Sequence, residues 1–115
     1  MTGEEWISVE QTGDNAVVLA PSADIDMSRS PEFRAAIQEA FRTRGVTRVV
    51  IDLDGVGYMD SSGLATLVEA MRTSKSQSTP MVLCGMNERV RAIFEIARLH
   101  QFFTITDTRD AAMST

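Results

Sequence analysis

Val49-Val50-Ile51-Asp52-Leu53-Asp54-Gly55-Val56-Gly57-Tyr58-Met59-Asp60-Ser61-Ser62-Gly63-Leu64 begins as one kind of secondary structure and ends as another. Its first five residues are mostly apolar and β-branched, as in a strand buried on both faces. From Leu64 onward the period changes: Leu64, Leu67, Val68 and Met71 fall at i, i+3, i+4 and i+7, one apolar stripe of a helix. The change happens at Asp60, Ser61 and Ser62, residue types whose side chains accept hydrogen bonds from the free N–H groups of a first helical turn. Any of the three can serve as the cap.

The plain reading of these hydroxyls is a helix cap after a strand. The sharper reading is a phosphorylation switch at Ser61. A phosphate there would add about −1.5 to −2 charge and three acceptor oxygens next to the positive end of a helix dipole, and also next to the Asp60 carboxylate. Such a group changes what docks on the surface without melting the helix.

Working outward, Trp6 to Gln11 alternates, Gly13-Asp14-Asn15 marks a turn, and Ala16 to Ala20 gives a second strand that Pro21-Ser22-Ala23 ends. Ser30-Pro31-Glu32 places Ser30 as N-cap and Pro31 at the first helical position, and Phe33, Ile37, Ala40 and Phe41 cover one face of the helix that follows, up to Gly45. A central strand is expected over Thr47–Leu53 and a second helix over about Ser62–Lys75. The polar run from Ser74 to Thr79 reads as a linker closed by Pro80, and Met81 to Cys84 reads as a strand. Asn87-Glu88-Arg89 starts a third helix with Val90, Ile93, Phe94 and Ala97 on its apolar face; Phe102 to Ile105 is a short strand, and a last helical turn begins near Asp107. Strands followed by alternating helices and strands imply an α/β fold, one mixed β-sheet with helices packed mainly on one face. A single domain over 1–115, with its core at about 6–107, is expected.

Composition narrows the function classes. The 115 residues suffice for one hydrophobic core, 43% are hydrophobic, and the formal net charge is −5 with no basic run, which argues against nucleic acid or an anionic membrane as partner. Met1 to Trp6 shows no charged leader or apolar core of a signal segment, and no stretch approaches the about 20 apolar residues of a membrane span. A cytoplasmic protein is the expectation. Cys84 lies in an apolar run, as a buried thiol would. His100 has no Cys or second His at ligand spacing, so no metal is expected, and Met59 at the position two before Ser61 does not fit a hydrolase nucleophile elbow. Gly55-Val56-Gly57 lacks the later glycine and lysine of a phosphate loop, and no cofactor is expected. Met59, Met71 and Met81 fall at core positions, and Trp6 at a strand edge is a packing residue.

Asp60-Ser61-Ser62-Gly63-Leu64, after an Ile-Asp-Leu strand and a short acidic loop, resembles the motif of the STAS domain family, in particular its bacterial anti-sigma factor antagonists. Ala23-Asp24-Ile25-Asp26 stands where that family has a Gly-Glu-Leu/Ile-Asp turn, with Ala23 in place of the glycine, and the segment from Asn87 to Leu99 matches the helix after the fourth strand. The resemblance covers roughly Ile7 to Asp107. It implies a STAS fold without catalysis of its own, with Ser61 as phosphoacceptor and Ser62 as the runner-up. It also implies that Asp26, Asp60 and Gly63 lie around the phosphosite and help recognise a partner or nucleotide. The partners implied are an anti-sigma factor that is also a serine kinase, bound by the unmodified form and released on phosphorylation, and a PP2C-type phosphatase that reverses the switch. Nucleotide would be met only through the kinase. The family also supplies regulatory parts of transporters and scaffolds of signalling complexes, which is the alternative reading. On either, the side of the second helix outside its apolar stripe is the expected docking face: Ala65, Thr66, Glu69, Ala70 and Arg72.

Overall fold

The computed structural model describes residues 6–115, so the absence of a leader read over Met1 to Glu5 lies outside the described residues. The elements are β1 (Ile7–Gln11), β2 (Ala16–Pro21), α1 (Ser30–Arg42), β3 (Arg48–Asp52), α2 (Ser61–Gln77), β4 (Met81–Cys84), α3 (Glu88–Ile96), β5 (Thr104–Thr106) and α4 (Arg109–Met113). The strands lie in sequence order, β1-β2-β3-β4-β5. Only the β1–β2 hairpin is antiparallel, and each later strand joins in parallel after a helix. The sheet is therefore mixed.

Because side chains alternate along a strand, each strand serves two different environments. Val17, Leu19, Val49, Ile51, Met81 and Leu83 share one core with Phe33 and Ile37 of α1, Leu67 and Met71 of α2, and Val90 and Phe94 of α3. Val18, Val50, Val82 and Cys84 face the other way and form a smaller apolar cluster with Ala112 and Met113 of the short α4. Burial in that second layer pushes the Cys84 thiol up to about 11, so it stays protonated. Arg109 ties α4 down through Asp52 at 3.0 Å and Glu10 at 3.2 Å. At the sheet edge, Val9 points to the helical side but lies beyond the helices and is 62% exposed. Trp6 packs against the core as expected, and its indole N–H donates to Glu32 at 3.0 Å.

Three local expectations need correction. Ser30 does not cap α1: Arg29 occupies the cap position without a side-chain bond, and Ser30 is already helical and buried. The free amides there are covered from upstream, because the Asp26 carbonyl accepts from Arg29 N at 3.1 Å and Ser30 N at 2.8 Å. The segment from Ser74 is not a linker, since α2 runs on to Gln77 and ends at Ser78 with φ 57°. The buried Ser74 hydroxyl donates to the Thr79 carbonyl, which satisfies a polar atom that the pattern alone reads as solvated. The last strand starts at Thr104, two residues later than expected. Phe102 and Phe103 are instead held in the preceding turn by edge-to-face packing, Phe103 against Phe94 with centroids 5.3 Å apart and Phe102 against Phe103 at 5.2 Å.

Candidate functional site

At the carboxyl ends of the parallel strands, the loop leaving β3 and the loop leaving β2 are stitched together. Ile25 and Met59 form an isolated parallel bridge, with Ile25 N donating to Tyr58 O and Asp60 N to Ile25 O, both at 3.0 Å. Both bridge residues are fully buried, so two apolar side chains anchor two exposed turns. The register then sets Asp26 alongside Asp60.

Asp60 is the cap of α2. Its Oδ1 accepts from Ser62 N at 2.9 Å, from Ser62 Oγ at 2.6 Å and from Gly63 N at 3.4 Å. The Ser62 hydroxyl bond is the main reason the Asp60 carboxyl sits below the usual carboxylate range, and the neighbouring Asp26 charge works against it. Asp26 is depressed in the same way, chiefly by the Ser28 hydroxyl. Both carboxylates are thus ionised at neutral pH.

The two serines of the motif are placed differently. Ser62 is half-buried, its hydroxyl is engaged with Asp60, and its carbonyl accepts from the Thr66 hydroxyl at 2.9 Å. Ser61 is exposed, and among the described residues its hydroxyl has no hydrogen-bond partner. Gly63 is pressed into the bridge: a Cβ there would stand 3.0 Å from Ile25 Cγ2 and 3.1 Å from Met59 Cβ. Gly55 answers the same need at the start of the loop, where a Cβ would stand 2.8 Å from the Pro21 carbonyl oxygen.

Asp26, Asp60, Ser61, Ser62 and Gly63 are therefore brought to one corner. The outward face of α2 is only partly as expected. Ala65, Glu69 and Arg72 are exposed, whereas Thr66 is 1% and Ala70 4% exposed, and these two do not belong to an outward face. The reason is α1, which packs beside α2 and draws the buried sector round to Gly63, Thr66, Leu67, Ala70, Met71 and Ser74. Leu64 and Val68, read as core, are correspondingly only half-buried. They line shallow apolar hollows that start at Ser61 and run between α2 and the end of α3, over Ile93, Ile96, Ala97 and Leu99.

Sequence reasoning missed Ile96, which is 82% exposed at the edge of this surface. Its position off the α3 stripe of Val90, Ile93, Phe94 and Ala97 was the available signal. It also missed Met27, 76% exposed in the turn beside Ser61, although Asp-X-Ser occurs at both 26–28 and 60–62.

The family model for the STAS domain matches residues 7–112. This chain belongs to the STAS domain family. Among STAS relatives, an anti-sigma-B factor antagonist of Listeria monocytogenes is 27% identical over 99 residues, 86% of each chain. A solved chain described as an anti-sigma factor antagonist, from Thermotoga maritima, superposes with a TM-score of 0.86 at 22% identity, covering 96% of this chain and 94% of that one. The anti-sigma factor antagonist SpoIIAA in its unphosphorylated form gives a TM-score of 0.72 at 21% identity over 94% of each chain. At those identities the two structural likenesses show the STAS fold alone. The order and pairing of the strands and the corner that joins Asp26 and Asp60 are features of this chain's own structure.

Proposed function

We propose that this STAS protein is an anti-sigma factor antagonist controlled by phosphorylation of Ser61. In its unmodified form it binds an anti-sigma factor that is also a serine kinase and so releases a sigma factor. Phosphorylation by that kinase ends the binding, and a PP2C-type phosphatase restores it. Nucleotide meets the chain only through the kinase, and the chain acts as a binding module without catalysis of its own.

The observation that carries this reading is the division of labour between the two hydroxyls. Ser62 is held by Asp60, while Ser61 is exposed at the first position of α2, its hydroxyl without a partner among the described residues. The names carried by STAS relatives of similar length give the reading its partner class. The apolar hollows beside Ser61, with Ala65, Glu69 and Arg72 around them, supply a surface for a partner.

The charge balance explains why a phosphate would act as a switch. The amides of Ser62 and Gly63 are already taken by Asp60, and two ionised carboxylates stand at the same corner. A dianion on Ser61 would find repulsion there and would be driven into the interface without compensation. Leaving a charge unpaired in an interface costs about 3–5 kcal/mol. At about 1.4 kcal/mol per tenfold, that lowers affinity by hundreds-fold or more.

The test is intact mass and site mapping after coexpression with anti-sigma kinases of the same organism, with Ser61→Ala and Ser61→Asp compared in pull-downs. One phosphate on Ser61, binding retained by the alanine variant and lost by the aspartate variant, is the expected result. A chain that stays unmodified, and whose partners ignore both substitutions, would instead be a constitutive scaffold or transporter subunit.

A further inference from the structure

We propose that Asn87, which caps α3, is also a positioning residue for Ser61. Its effect on phosphorylation rests on Ser61 being the phosphoacceptor, while its effect on the loop does not.

Asn87 Oδ1 accepts from Val90 N at 2.8 Å. Because the oxygen must face that amide, the Nδ2 group faces the other way, and it donates to Val56 O at 3.3 Å and Gly57 O at 3.2 Å. Aspartate or serine would cap α3 as well, but neither has two donors to offer the loop. Two residues further on, the Arg89 guanidinium lies over the Tyr58 ring, 5.5 Å from its centroid. The first turn of α3 thus grips three consecutive residues of the loop that leads to the phosphosite.

The grip is passed on by the backbone. Val56 N donates to Leu53 O at 3.0 Å, Tyr58 O accepts from Ile25 N, and Asp60 N donates to Ile25 O. The Ser61 hydroxyl makes no bond of its own to a described residue, so its position is set by this chain of main-chain contacts. Phosphoryl transfer depends on the attacking oxygen being held near the reacting geometry. Loss of the two Asn87 donors therefore lets the arm from Val56 to Asp60 open more often and slows acceptance of phosphate.

The experiment uses the whole chain with Asn87→Asp and Asn87→Ser, both of which keep a capping oxygen. Amide hydrogen exchange at Val56, Ile25 and Asp60 is read beside Val90, with the urea midpoint as a measure of global stability. The expected result is exchange on the order of fivefold faster at the first three amides, with Val90 little changed. The kcat/KM for Ser61 modification, by whichever kinase modifies the unsubstituted chain, should fall by about twofold or more as the hydroxyl loses its held geometry. Unchanged exchange at Val56, Ile25 and Asp60 in both variants would overturn the proposal and leave Asn87 as a cap only. Faster exchange with unchanged phosphorylation would overturn the positioning role. If the unsubstituted chain takes no phosphate on Ser61, the functional reading above fails, and the exchange rates still decide whether Asn87 holds the loop.

Discussion

Asp26-Met27-Ser28-Arg29 and Asp60-Ser61-Ser62-Gly63 are two turns built with one device, and they present different side chains. In each, one carboxylate oxygen accepts from the hydroxyl and the amide of the serine two residues on, and from the amide that follows. In each, the residue between aspartate and serine is pushed into solvent, Met27 in one turn and Ser61 in the other. The parallel bridge between Ile25 and Met59 sets the turns side by side. What differs is the fourth position. Arg29 is exposed, with its guanidinium 5.8 Å from the Trp6 ring centroid, whereas Gly63 is buried against the bridge. The lesson is that the cap geometry is a local matter of Asp and Ser spacing. Which turn lies tight against the core, and so presents its middle residue rigidly, is decided by packing at the fourth residue.

The fourth position gives the largest expected effect. Gly63→Val has to displace Met59 Cβ, fixed to its own backbone, and the fully buried Ile25, and overpacking of this kind costs about 1–3 kcal/mol. Arg29→Val in the matching turn should cost under about 1 kcal/mol, the scale of an exposed cation–π contact. Urea unfolding of both variants measures the contrast, and equal losses would break it.

The two turn carboxylates come next. Asp60→Ala should cost about 1 kcal/mol, the usual loss when a capping side chain is removed, and Asp26→Ala, which removes the acceptor of a turn just before α1, should cost about 1 kcal/mol as well. Asn at either position keeps the accepting oxygen and should recover most of that. A pronounced inequality between the two alanine variants in thermal or urea midpoints would show that the turns are alike in geometry but not in energy.

The smallest effect is on acid stability, and here the sign is definite. Both aspartates are depressed in the folded chain, so each contributes stability that is present above the unfolded value of about 3.9 and is lost as pH falls through the lower folded value. Ser62→Ala should raise the Asp60 pKa towards its ordinary value and Ser28→Ala should do the same for Asp26, because each removes the first cause of the depression. Carboxyl carbon NMR titration of the two variants reads each shift separately. A Ser62→Ala chain whose Asp60 titrates unchanged would place the cause in the backbone amides instead.

Much of the fold was legible because it rests on period and punctuation. The β-branched run of β3, the stripe from Leu64 to Met71, the Asn87 cap and the Gly13-Asp14-Asn15 turn are short-range signals, and the elements they mark are present. Legibility failed where a distant contact overrode a local rule. Ser30 looked like a cap because nothing nearby says that Asp26 already covers the amides. Phe102 and Phe103 looked like strand residues because Phe94, on which Phe103 packs while Phe102 in turn packs on Phe103, belongs to another element. The face of α2 was misjudged at Thr66 and Ala70 because hydropathy ranks Leu64 and Val68 above them, while α1 comes close enough only over small side chains.

The sequence by itself determined that Asp60, Ser61, Ser62 and Gly63 stand at a strand-to-helix switch, since residue types and spacing suffice to place a cap. Tertiary structure decided which of the two turns is packed against the core, which side of α2 faces outward, and that Asp26 stands beside Asp60. Those outcomes depend on the Ile25–Met59 bridge, on α1 lying against α2 and on Asn87 holding the loop, contacts between residues 30 to 34 positions apart or between whole helices, which no local pattern encodes.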